Sequence, residues 1–518
     1  MSIAKKSFKN MRVAFSLFLI NLVITFLARR YFLDNLGVEI LGMNTIAMNI
    51  VGFLSLAELG IMNAISYALY KPISEDNRKS ISEIISVQGW IYRKVAYVII
   101  FFSIIIFLCL PILFSKTTLP IWYTYVAFST FLISSLSTYF VSYVQVLLIA
   151  DLQEYKVNYI NQLMKFTKYA LQISAVILIE NIENKFLAWC FIEIILSIVI
   201  ALLIKYVVKK DYPWLNIELQ NGKKLKDKHQ EIITKIKQIF FHQLGGIVIT
   251  QVTPVIIYAY ISLNTVTKYE NYIIIVTAIY SLIGATFSGI QAGIGNLIAQ
   301  GDKNRVIAFF NQFLVFRYWV ISIICFTFYL QSEYFITLWI GKDFVLEEQV
   351  LLVLTLYTFI RLARSFIDSF LVGYGLFSDI YAPIIESIMT IGLSIILGKY
   401  FGLFGIILGS TISLFIMVIG WKAFFLFSRG FDISITFYIT KLAKVSIILI
   451  GSILLSNFII AELKIFNFIV DNTSFVTWAI NSAVVATIYV IVSGFMLLIF
   501  STDMRAFSLR VKNMFISK

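Results

Sequence analysis

The chain has 518 residues, 60% of them apolar and only 14% charged. An ordinary soluble domain carries about a quarter of its residues charged, so a water-soluble globule is excluded, and with ~20 apolar residues needed per bilayer crossing the sequence is rich enough for about ten or more spans. The net charge of +14 is spread over many short segments, as beside anionic lipid headgroups, and not gathered into the single basic face of a nucleic-acid binder.

The first apolar run, Val13 to Ala28, follows Lys5, Lys6, Lys9 and Arg12 and ends at Arg29-Arg30. No small-residue cleavage site follows it, so it reads as a retained span and not as a signal peptide. Windows of ~19 residues place further spans near 40–70, 90–114, 121–150, 160–180, 186–208, 237–262, 270–299, 308–330, 346–374, 380–400, 402–427, 441–461 and 474–500. The expectation is an all-α polytopic membrane protein of about fourteen transmembrane helices. With the N-terminus inside, inner segments collect 31 Lys and Arg and outer segments 8, which predicts that both termini are cytoplasmic.

The second span ends in Gly60-Ile61-Met62-Asn63 before Asp76-Asn77-Arg78-Lys79, and the eighth in Gly293-Ile294-Gly295-Asn296 before Asp302-Lys303-Asn304-Arg305. Six spans precede the basic 209–236 segment. An even number makes both halves enter the membrane in the same sense, as parallel repeats around a central cavity do. The chain accordingly divides into a lobe over 1–208, a cytoplasmic linker over 209–236 that carries Lys223, Lys224, Lys226 and Lys228 and reads as solvated, a second lobe over 237–430, and two additional spans with a cytoplasmic tail over 431–518. Gly289 to Gly293 and Gly405 to Gly409 are GxxxG spacings that favour close helix contact. Pro254, inside the seventh span, cannot hydrogen-bond the carbonyl one turn back and is a candidate hinge.

Charges inside spans are costly, on the order of 2.5–3.5 kcal/mol at a helix centre on insertion scales, and face an interior or a wet cavity. Tyr357, Arg361, Arg364 and Asp368 recur at spacings of four, three and four, hence on one helical face. Arg361 lies ~22 Å along its helix from Leu346 at a rise of about 1.5 Å per residue. Two readings stand side by side: a cationic stripe that grips an anionic ligand through forked guanidinium donors, or an internal Arg364–Asp368 pair. Arg29 and Arg30 are further cavity cations. Glu58, Asp368 and Glu386 are candidates for coupling to H+ or Na+, with Glu193 another buried acid. Gln145, Gln251, Gln291, Asn63 and Asn296 are polar groups for a cavity wall or for interhelical hydrogen bonds.

Other chemistry has no sequence basis. Cys109, Cys190 and Cys325 lie singly in apolar runs, and with only His229 and His242 no disulfide framework or zinc site is expected. No phosphate-cradling Gly-rich loop for ATP occurs, and no cofactor is expected.

Leu36-Gly37-Val38-Glu39-Ile40-Leu41-Gly42, Leu54 to Ile61, Leu69-Tyr70-Lys71-Pro72, Gly293 to Ala299, Leu338-Trp339-Ile340-Gly341 and Pro383-Ile384-Ile385-Glu386-Ser387 together resemble bacterial polysaccharide flippases of the Wzx type. That family belongs to a superfamily with multidrug exporters and the lipid II flippase. The resemblance covers about residues 10 to 430. It implies a transporter in the bacterial inner membrane that moves undecaprenyl-diphosphate-linked oligosaccharide repeat units, for O-antigen or capsule, from the cytoplasmic to the outer leaflet by alternating access, with other polysaccharide assembly proteins as partners. It also implies basic residues along the cavity, which Arg29, Arg30, Arg361 and Arg364 would supply. The seventh span departs from the pattern: Thr250-Gln251-Val252-Thr253-Pro254 stands where an acidic residue is common. A multidrug or cation antiporter of the same superfamily is the nearer alternative. A membrane-embedded polymerase or ligase is the remoter one, since the longest outer loop, about 331–345, is too short for a catalytic domain and holds no paired acid and base.

Overall fold

The computed structural model describes residues 3–58, 60–376, 379, 381–465 and 473–516. Of the residues singled out above, Leu59 lies outside this set, as do the side chains of Lys5, Lys6, Lys9, Arg12, Ala57, Lys226, His242 and Ala292 and the surroundings of Gly289. Among the described residues the structure is all helical, without a strand. This is the expected class, because a chain in lipid must satisfy its backbone polar groups within each segment. The chain forms two compact units, Met1–Thr267 and Lys268–Lys518.

In the first unit the long helices are α1 (Ile3–Leu36), α4 (Arg78–Leu113), α7 (Glu154–Leu178), α8 (Ile182–Asp211) and α10 (Gln230–Tyr260). Two predicted spans are broken. The second divides into α2 (Val38–Leu54), a single 3-10 turn and α3 (Ile61–Ser74); the fourth divides into α5 (Ile121–Phe140) and α6 (Gln145–Ala150), bent by 53°. Gly60 makes the first break, with φ +81, a left-handed conformation that a side chain resists. A Cβ there would also stand 2.9 Å from Ile239 of α10. Gly37 (φ +87) turns the chain between α1 and α2, and Glu39 accepts hydrogen bonds from Thr117 and Thr118 at 2.7–2.9 Å. This part of the family-like phrase ties α2 to the loop after α4.

In the 209–236 segment Lys223, Lys224 and Lys228 are exposed, but the segment is not an open linker. It contains α9 (Gly222–Lys228) and is docked on the start of α4. A Cβ on Gly222 would meet Trp90 at 2.4 Å, Gly89 faces Leu219 as closely, and Arg78 lies 5.4 Å from the Trp214 ring centre. Apolar Leu219, Leu225 and Trp214 within the basic run account for the difference, since they have a surface to bury. α10, which packs on α2 and α3, belongs to this unit.

The second unit takes most of α11 (Leu263–Ala299), then α12 (Lys303–Ile340), α13 (Glu348–Gly373), α14 (Tyr381–Phe415), a π-helical continuation through α15 (Ala423–Leu426) to Phe431, α16 (Ile435–Ile465), α17 (Phe475–Phe500) and α18 (Thr502–Ile516). α14 joins the eleventh and twelfth spans across Gly402, whose φ of +57 reverses the chain. The arms meet at their glycines: a Cβ on Gly405 would lie 2.1 Å from the Leu397 carbonyl oxygen, and one on Gly409 2.5 Å from Leu393. The second GxxxG is thus a backbone-to-backbone contact. Gly293 of the first has nothing within 4 Å.

Of the additional spans, α17 docks on α12 through Phe326 stacked on Tyr489 (4.4 Å between centroids) and the Trp319 to Ser493 hydrogen bond (2.9 Å). The tail is helical as well: Phe507 of α18 stacks on Phe316. The repeated phrase has two structures, a helix break at Gly60 and continuous helix at Gly293. Its acidic half is alike in both. A residue with positive φ, Asp76 or Gly301, is followed by a cap, Asn77 or Asp302, that accepts the third backbone N–H of α4 or α12 at 3.0 Å, satisfying a helix start in the usual way.

Candidate functional site

The charged residues inside the second unit come together from four elements. On α13, the turn spacing that stacks Arg361, Arg364 and Asp368 holds. Arg364 donates to Glu386 of α14 at 2.5 Å and lies 3.5 Å from Asp368. Lys422, from the π-helical segment, donates to the other oxygen of Asp368. The internal-pair reading of the stripe therefore has a structural counterpart. Arg364 is an interior ion-pair partner, of Glu386 even more closely than of Asp368, whereas Arg361 lies over the Tyr280 ring at 4.9 Å.

A further cation completes the group. Arg317, fourteen residues into α12, is buried at 3% exposure. Its Nη2 donates to Ser365 at 2.8 Å, and its guanidinium lies 3.9 Å from the Phe287 ring centre. The sequence places it in a span with no like-spaced polar neighbours, so periodicity passed over it; its charge at mid-span was the available signal. α11 presents Tyr280, Gly284, Phe287, Gln291 and Ile294 at alternating spacings of four and three, one helical stripe. With Arg317 on α12 and Ser365, Asp368 and Ser369 on α13 this stripe encloses a cavity of about 300 Å³. Of four cations on α12, α13 and the π-helical segment (Arg317, Arg361, Arg364, Lys422), Arg364 and Lys422 pair with the carboxylates Asp368 and Glu386, and among the described residues Arg317 and Arg361 pair with none, which leaves two positive charges unmatched. The arrangement suits an anion.

In the first unit, Glu58 closes the 3-10 turn beside Tyr139, half-buried, with Tyr92 next to it. Among the described residues it pairs with no lysine or arginine, unlike Asp368 and Glu386. Glu193 is bound to Lys168 at 2.7 Å and accepts from Gln172. Arg30 is exposed and lies 3.7 Å from Asp34 one turn on; Arg29 is half-buried. Gln251 presses its amide on Gly52, where a Cβ would stand 2.8 Å from it, so it fills an α2–α10 contact. Gln145 is half-buried at the start of α6, Gln291 is exposed at the cavity rim, and Asn63 and Asn296 are exposed. α10 continues as helix through buried Pro254. α12 runs to Ile340, so the connection to α13 is shorter still than the expected outer loop. Among the described residues no group of three His, Cys, Asp or Glu is arranged to hold a metal ion.

No family model matches the sequence, and no curated protein matches it. Solved structures do. A lipid II flippase, MurJ, in an inward closed conformation is similar over 94% of this chain and 98% of its own, with a TM-score of 0.64 at 15% identity. A multidrug resistance MATE family transporter of the MOP superfamily, inward-facing, is similar over 81% of this chain and 97% of its own, with a TM-score of 0.58 at 14% identity. At these identities the likeness establishes the fold alone: this chain has the all-α fold that the lipid II flippase and the MATE transporter share.

Proposed function

We propose that the protein is a flippase for undecaprenyl-diphosphate-linked oligosaccharide repeat units, of O-antigen or capsule, working by alternating access in the bacterial inner membrane with both termini cytoplasmic. The observation that carries this reading is the surplus of positive charge buried in the second unit. A carrier lipid brings two phosphates into the membrane, and guanidinium groups match phosphate oxygens in geometry as well as charge. The fold likeness supports it, since the lipid II flippase is matched over 94% of the chain and the MATE transporter over 81%.

In this mechanism Arg361 meets the diphosphate in the second unit, where Gln291 and Asn296 offer polar groups to the glycan, Arg29, Arg30 and Asn63 are the substrate contacts proposed for the first unit, and the polyprenyl tail stays in lipid. Pro254 of α10 serves as a hinge. Release requires a step that binds one state better than the other. Of the acids, Glu58 is best placed for H+ or Na+ coupling, because Asp368 and Glu386 are already neutralised by neighbouring cations. No cofactor takes part, and other polysaccharide assembly proteins are the expected partners.

Deleting the gene should make lipid-linked repeat units accumulate on the cytoplasmic leaflet. The wild-type gene should clear them, and a membrane-inserted R361Q/R364Q variant should not. Full clearance by that variant would remove the stripe from the mechanism. The second reading, a multidrug or cation antiporter, rests on the MATE likeness. Cation-rich surroundings repel a cationic cargo, and ethidium efflux by the purified protein in vesicles, without clearance of repeat units, would establish it.

A further inference from the structure

We propose that Arg317 anchors an oxyanion site inside the second unit that takes a phosphoryl group attached to an apolar chain. A guanidinium at mid-helix in a membrane span is retained only with a partner or in a cavity that supplies one. Arg317 makes one side-chain hydrogen bond, to Ser365. Its Nε and Nη1 are buried and have no hydrogen-bond partner. No described carboxylate pairs with it. Asp368, the acid on the same cavity wall, is held by Lys422 and Arg364.

Ser365 cannot complete the site, because its own hydroxyl donates to the Leu362 carbonyl at 2.9 Å. Donors are therefore present beside the cavity in excess of acceptors, which is the condition for binding an anion. The cavity of about 300 Å³ corresponds to roughly ten waters at about 30 Å³ each, room for a phosphoryl group and its first contacts. Next to the guanidinium stand Phe287, Phe313 and Phe366, with ring centres 5.9 and 5.7 Å apart in sequence. A free, fully hydrated ion gains little from such a wall, whereas an anion on a hydrocarbon chain gains on both sides. On the same stripe of α11, one turn before Phe287, Gly284 leaves space: a Cβ there would have nothing within 4 Å.

The charge class of the ligand follows from the cavity; that its source is the carrier lipid rests on the flippase reading. The test uses the full-length protein in phosphatidylcholine nanodiscs, titrated separately with farnesyl diphosphate, inorganic pyrophosphate and phosphatidylglycerol, with binding read by native mass spectrometry. Wild type should bind farnesyl diphosphate more tightly than pyrophosphate. Arg317→Gln should weaken binding by about tenfold or more, as loss of a charge-assisted hydrogen bond implies, and Arg317→Lys should restore part of it. Gly284→Leu fills the space while leaving the Arg317 side chain itself in place and should weaken binding as much, which keeps the test decisive if R317Q does not fold. Phosphatidylglycerol binding that depends on Arg317, without farnesyl diphosphate binding, would support the oxyanion anchor and identify bilayer headgroups as its source. Wild-type binding undiminished in R317Q, or in G284L where R317Q does not fold, would overturn the proposal, as would absence of binding in all three titrations. Clearance of repeat units by the wild-type gene reports on the flippase reading separately.

Discussion

Arg364 and Glu386, 22 positions apart in sequence, meet at 2.5 Å and join α13 to α14, with the carboxylate 1% exposed. Removing one partner of a buried pair strands the other charge, which costs about 3–5 kcal/mol, whereas replacing both by apolar groups of similar volume is often neutral. Glu386→Ala should therefore destabilise the protein by about that amount, and Arg364→Met with Glu386→Leu should recover most of it. Thermal unfolding of the detergent-purified protein measures both. Equal losses in the single and double variants would show that the pair does not hold these helices.

The two GxxxG segments should respond oppositely to alanine. At Gly405 a methyl group meets the Leu397 carbonyl oxygen at 2.1 Å, so Gly405→Ala must push the arms of α14 apart, a loss of about 1–3 kcal/mol on the scale of overpacked cores. Gly293 is in open helix, and Gly293→Ala should be neutral or stabilising by up to ~1 kcal/mol through reduced backbone freedom. The same unfolding measurement distinguishes them.

Glu58→Gln keeps the side chain's shape beside Tyr139 and removes its ability to change charge. Expression and unfolding temperature should stay close to wild type, while clearance of lipid-linked repeat units should slow by about tenfold or more, the scale of a 1.4 kcal/mol change in barrier. Transport of this variant should also lose its dependence on an imposed H+ or Na+ gradient. A gradient response equal to wild type would exclude Glu58 as the coupling group.

Docking of the 216–229 segment should depend on pH through Glu83. Burial pushes its carboxyl up, but the hydrogen bonds and charges of Lys228 (2.6 Å) and His229 (3.3 Å) outweigh this and hold it below its ordinary value. A lowered pKa in the docked state means that the contribution is complete above the undocked value of 4.5 and is lost as pH falls through the lower, docked value. Arg78, Lys79, Lys224 and Glu218 line the same cavity of about 580 Å³. Amide hydrogen exchange across α9 should accelerate below pH 4.5, after correction for intrinsic rates, and in Glu83→Gln it should be fast already at neutral pH. Exchange unaffected by either change would leave docking to Trp90, Leu219 and the glycine contacts alone.

Much of the molecule is legible in its residues. Apolar runs of about twenty residues, the lysines and arginines between them, and the Asn77 and Asp302 caps are local features, and the helices follow because in lipid each segment must complete its own hydrogen bonds. Breaks were less legible. Gly60 and Gly293 occupy the same phrase, yet Gly60 takes a left-handed turn packed against Ile239 of α10, whereas Gly293 is helical with nothing within 4 Å of a Cβ. The docked linker was hidden because its lysines outnumber Trp214, Leu219 and Leu225, although these few apolar side chains decide where the segment lies.

Residue composition and order suffice to make this an all-helical membrane protein with arginines inside its spans, since hydropathy and charge are properties of each segment alone. Tertiary structure decided which of those charges are neutralised. Arg364 meets Glu386 and Lys422 meets Asp368 across helices, while Arg317, with the same charge, faces a cavity with two donors unengaged. Helical periodicity relates residues three or four apart. It does not set how one helix is rotated and shifted against the next, and partners 22 and 54 positions apart are chosen by that packing.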